Sequence, residues 1–152
     1  MRENLNYRPL KMKDEGESKG ITRPTDRLRA ETAELIVEIM NAATSFHKLH
    51  LSVTGDGSYA QHIALNDLYD ALPGLADTIA EGMQGACEVI LKYPDKAPVT
   101  LTGIDGAIQY IRNMIEEINE LQSIMPYSEI VNNLDLVKDA FNTAKYKLIF
   151  LS

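Results

Sequence analysis

HIALNDLYDALPGLADTIAEGMQGACEVI, residues 62–90, decides the fold of this chain. His62, Leu65, Tyr69, Leu72, Ala76, Ile79, Met83, Ala86 and Ile90 recur every three or four residues. That period places them on one face of a helix of about eight turns. Pro73 stands inside it, removing one backbone hydrogen bond and bending the rod, with a break there as the alternative.

A second stripe runs beside the apolar one. Advancing about 100° per residue, His62, Asn66, Asp70, Asp77 and Glu81 fall on the shoulder of the core face rather than opposite it. Such groups form either a solvated flank that hydrogen-bonds its neighbours or one wall of a site.

Upstream, Leu28, Leu35, Ile39, Ala43, Phe46 and His50 predict a first helix, with Ile36 and Met40 widening its stripe. Thr25 or Asp26 caps its start, and it ends near Val53. TGDGS at 54–58 has the residues of a tight connection, and Ser58 caps the helix that follows. Residues 93–103, YPDKAPVTLTG, read as an extended crossover with two prolines, long for a simple helical hairpin. A third helix carries Ile108, Ile111, Ile115, Ile118, Leu121 and Ile124 and stops near Pro126. A fourth starts from a Ser128 cap and carries Ile130, Leu134, Val137, Phe141, Ala144, Leu148 and Leu151. No strand-like alternation competes, so the expectation is all-α: a ferritin-like four-helix bundle with a long crossover between the second and third helices.

Composition sets the frame. A chain of 152 residues, 45% hydrophobic, suits one domain, here 25–152, behind a polar tail at 1–24. Its single cysteine, Cys87, leaves no internal disulfide to form and fits a reducing compartment, hence the cytoplasm. The N-terminus has no signal-peptide core, and no apolar run is long enough to span a bilayer, which predicts a protein with no membrane partner. A net charge of −7 argues against a surface that coats nucleic acid. Arg2, Arg8, Lys11 and Lys13 in the tail are the candidate DNA contacts, which Asp14, Glu15 and Glu17 largely offset; binding there would be strongly salt-dependent.

All three histidines, His47, His50 and His62, flank the short 54–58 connection. His50 continues the apolar stripe of the first helix, where a polar side chain needs a partner: either a satisfied core position or a ligand. Imidazole nitrogens with carboxylate oxygens suit iron and its first-row neighbours, and Asp77 and Glu81 at i and i+4 can present two carboxylates to one ion. His62 and Asp77 are roughly 22 Å apart along one helix, too far to share an ion within one chain. A two-fold dimer with antiparallel second helices brings each His62 to the partner's Asp77 and Glu81.

These residues resemble the signature of the Dps mini-ferritins, DNA-binding proteins from starved cells, within the ferritin-like superfamily. His50 and Gly55 stand as H-x-x-x-x-G, His62 follows, and Asp77 and Glu81 form D-x-x-x-E; with the four helices and the crossover, the likeness covers about Thr25 to the C-terminus. The resemblance implies an intersubunit ferroxidase centre, with His50 and His62 from one chain and Asp77 and Glu81 from its mate. It further implies ferrous iron oxidised by hydrogen peroxide or oxygen, ferric iron stored inside a dodecamer built of two-fold dimers, and DNA protected from oxidative damage.

The chain departs from that pattern at several positions. Asn66 stands where the family commonly has an acid, Leu51 where many members have tryptophan, and Gly82 where arginine is frequent. His47 is an addition, as an auxiliary ligand or a surface group. The tail is not lysine-rich. A conventional ferritin site is disfavoured, because no glutamate stands three residues before any histidine. Glu116, Glu117 and Glu120 read as a solvated face of the third helix. The rival from another class is a ferritin-like structural or assembly component, such as part of a viral particle, with idle metal ligands.

Overall fold

The structure, a computed structural model, describes residues 24–152; the tail, with Arg2, Arg8, Lys11 and Lys13, lies outside the described residues. Four helices make up the domain: α1 (Asp26–His50), α2 (Ser58–Cys87), α3 (Gly103–Ile124) and α4 (Ser128–Phe150). Among the described residues there is no strand, and the all-helical, four-helix expectation holds. No helix described is long and apolar enough to cross a membrane.

Each helix buries the stripe that its periodicity marks. Phe46, Ile36 and Ile39 of α1 meet Leu65, Leu72, Ile79 and Met83 of α2, Ile111 and Ile118 of α3, and Leu134 and Phe141 of α4 in one core. Phe46 sits at its centre, with ring centroids 6.3 Å from Phe141 and 5.7 Å from Tyr110. The main packings are α1 on α2, α2 on α4, α3 on α4 and α1 on α3. Around the bundle the order is therefore α1, α2, α4, α3, and α2 lies diagonal to α3.

The boundaries follow local chemistry. Thr25 Oγ1 accepts the Leu28 amide at 3.2 Å, as predicted for the α1 start. Helix α1 stops at His50 rather than near Val53, and residues 51–57 turn the chain with Gly55 and Gly57 at φ of 88° and 76°. Those left-handed angles suit glycine. Ser58 and Ser128 are first helical residues, without the side-chain caps expected of them; Gly57 and Tyr127 precede them. Helix α2 continues through Pro73 but ends at Cys87, short of Ile90. Glu88 takes a left-handed conformation there, φ 54°, and its amide donates to Gln84 O. Gln84 Oε1 accepts the Leu91 amide at 3.0 Å, so Leu91 is buried and Ile90 is left exposed. Ile124, expected on the core stripe, is likewise half in solvent at the end of α3.

Residues 88–102 carry no helix. Asn41 Nδ2 donates to Lys96 O at 2.9 Å and Ser45 Oγ to Val99 O at 2.7 Å, so this segment runs beside α1.

Candidate functional site

The turn at 51–57 folds the end of α1 against the start of α2 and brings His50 and His62 face to face. Their ring centroids are 3.6 Å apart and the planes differ by 26°. His50 Nδ1 lies 3.0 Å from His62 O, and His62 Nδ1 lies 3.2 Å from His50 O. A carbonyl oxygen only accepts, so each Nδ1 carries the hydrogen and donates. Each neutral ring then keeps its lone pair on Nε2. A backbone carbonyl holding Nδ1–H is also the arrangement that orients a metal-binding imidazole.

Two more rings complete the cluster. Tyr69 lies one face on His47, with centroids 4.0 Å apart and planes 9° from parallel, and its edge meets His50 at 5.1 Å. His47 stands 5.8 Å from His50, edge to face. His50 is buried, His62 and Tyr69 are half-buried, and His47 is exposed. Tyr69 Oη donates to Asn66 Oδ1 at 2.8 Å, and Asn66 Nδ2 donates to Asp70 Oδ2 at 3.1 Å. Tyr69 thus occupies one of the two lone pairs of the Asn66 side-chain oxygen.

Asp77 and Glu81 do not join this group. They are exposed, further along the same helix, with roughly 22 Å of helix rise between His62 and Asp77 and about 28 Å between His62 and Glu81. No cluster of three or more histidine, cysteine, aspartate or glutamate side chains with metal-binding geometry occurs among the described residues. A site built from His50, His62, Asp77 and Glu81 thus requires two copies of the chain.

A Cβ at Gly82 would fall 2.9 Å from Ile130 Cδ1, the outer end of an α4 side chain, which would have to shift to admit a larger residue. Cys87 is buried as part of the core.

The sequence reading missed two features. Tyr69 falls on the apolar stripe and reads as core, yet it organises the histidines; its three-residue spacing from Asn66 was the available signal. Glu117 is exposed, as read, yet it also lines a cavity with Glu38 of α1 and faces its carboxyl there, a pairing the sequence does not show. Lys96 Nζ binds Glu38 at 2.7 Å and also pairs with Glu34. Contacts between α1 and α3 across such sequence distances leave no local pattern.

A family model, described as a family of unknown function (DUF5856), matches residues 50–148. The chain belongs to that family. The DUF5856 match opens on His50 and takes in His62, Asp77 and Glu81, together with α2, α3 and most of α4. No curated protein and no solved structure matches the chain.

Proposed function

We propose that this DUF5856 chain is a Dps-like ferroxidase and iron-storage protein of the cytoplasm. In this reading the bundle is ferritin-like, residues 88–102 are its long crossover, and two-fold dimers assemble into a dodecamer. The observation that carries the proposal is the reciprocal bonding of His50 and His62, which commits both Nδ1 atoms and leaves both Nε2 atoms to a ligand. Iron is the substrate. His50 and His62 of one copy supply nitrogen, and the partner copy supplies the carboxylates of Asp77 and Glu81.

Imidazole and carboxylate together suit ferrous iron, and the carboxylates favour the harder ferric ion as it forms. The electrons balance when two ferrous ions each give one to a single hydrogen peroxide, which leaves as hydroxide or water. Consuming iron and peroxide together protects DNA without contacting it. His47, one turn before His50, is exposed and stacks on Tyr69, beside the ligands rather than among them.

A second reading, a structural or assembly component with idle ligands, draws on Asn66. Its amide is neutral and its oxygen already accepts from Tyr69, so it is a weaker ligand beside His62 than a carboxylate would be. Anaerobic titration with ferrous iron followed by peroxide separates the two, run on wild type and on a His62→Ala/Asp77→Ala variant. Fast ferric absorbance in the wild type, lost in a variant of the same assembly size by light scattering, supports the ferroxidase. Equal, slow traces sink it and leave the structural reading.

A further inference from the structure

The seam between α1 and α3 holds a second group of ionisable side chains, away from the histidines. Glu38 and Glu117 line a cavity of about 370 Å³ together with Asn41, Lys96 and Tyr110. They also line a neighbouring one with Arg27, Glu31, Glu34 and Glu120. From α1, Arg27 pairs with Glu31 at 2.6 Å and so is already occupied. From 88–102, Lys96 binds Glu38 and Glu34. From α4, Lys138 reaches Asn119 and Gln122 and pairs with Asp135, on another side of α3. Among the described residues, Lys96 is thus the cation placed against the carboxyl pair.

Two carboxylates in contact repel when both are ionised, and one proton between them replaces repulsion with a hydrogen bond. We infer that Glu38 and Glu117 form a proton-operated clasp between α1 and α3, in which Lys96 fixes Glu38 as the charged acceptor and Glu117 as the donor. Closed, the clasp draws together α1 and α3, which pack against each other directly. Open, it sets Glu117 against Glu38, with Glu120 beside it.

The proton affinities agree with this geometry. Glu117 is pushed up to about 7, first by its hydrogen bond to Glu38, then by burial and the Glu38 charge, against the opposing charge of Lys96. Burial alone would raise Glu38, but the bonds from Glu117 and Lys96 and the lysine charge outweigh it and hold Glu38 below the usual carboxylate range. The sign follows for each. The stability Glu117 contributes is complete below the ordinary glutamate range and is lost as pH rises through about 7. The contribution of Glu38 is present above that range and lost as pH falls. The seam is therefore tightest in mild acid and loosens towards alkaline pH.

Carbon-13 titration of the glutamate carboxyls in the full chain tests the clasp, comparing wild type with Glu117→Gln and Glu38→Gln. One resonance titrating near neutrality, absent in Glu117→Gln and returned to the ordinary range in Glu38→Gln, is expected. The urea midpoint of the wild type, relative to Glu117→Gln, should fall between mild acid and mild alkali. Contributions common to the two proteins cancel in that difference. A Glu117 carboxyl titrating with the bulk glutamates, or identical pH dependence in the two proteins, overturns the inference.

Discussion

His50 and His62 each donate Nδ1–H to the other's backbone carbonyl, at 3.0 and 3.2 Å, across a seven-residue turn between two helices. Helix α1 ends at His50, and the first turns of α2 run from Ser58 past His62, so the pair closes the turn as a side-chain staple. The same bonds that order the turn also fix which nitrogen of each ring is available. Local structure and site chemistry are set by one contact.

Long-range proton–nitrogen spectra of the neutral imidazoles should show both His50 and His62 in the Nδ1–H form. His62→Phe keeps a flat ring but removes a donor to the His50 carbonyl, and should lower the unfolding free energy by about 1–3 kcal/mol in urea titration. An Nε2–H tautomer at both rings contradicts the staple.

Gly57 and Gly55 both have positive φ, but they differ in what a methyl group would meet. At Gly57 an added Cβ comes within 2.9 Å of the Ser152 carbonyl carbon, whereas at Gly55 nothing lies within 4 Å. Gly55→Ala carries only backbone strain, about 1–2 kcal/mol for an L-residue in the left-handed region. Gly57→Ala adds displacement of the C-terminus and should melt at a lower temperature than Gly55→Ala. Equal melting temperatures would mean that the end of the chain does not seat against this turn.

Tyr110 is pushed up to about 12, chiefly by burial and further by the charges of Glu38 and Glu117. Its folded value exceeds the ordinary one, so the stability it contributes is complete below the usual tyrosine range and is lost as pH rises through about 12. Alkaline unfolding followed by tyrosinate absorbance should show a last-titrating ring that is missing in Tyr110→Phe, and the variant should unfold at a higher pH than the wild type. Unchanged alkaline unfolding in Tyr110→Phe contradicts this.

The four helices were legible because burial of one face repeats every three or four residues, and that period survives Pro73: the ring costs one hydrogen bond, while Leu72 and Ala76 still bury the same face. The ends were less legible. Ser58 and Ser128 have the chemistry of caps, but a cap depends on the backbone angles before the helix, and Gly57 and Tyr127 take those places. The Cys87 terminus depends on Gln84 reaching Leu91, a side-chain contact that leaves no periodic trace.

By itself, then, the sequence determined the helical content, the buried stripes and the grouping of three histidines around one turn, because these depend on neighbours within about two helical turns. Only the tertiary structure decided that His50 and His62 lock each other's tautomers and that Glu117 faces Glu38 beside Lys96. Those contacts arise where helices and the 88–102 segment meet. Relative rotation of packed elements sets such meetings, and no single helix encodes it in its own period.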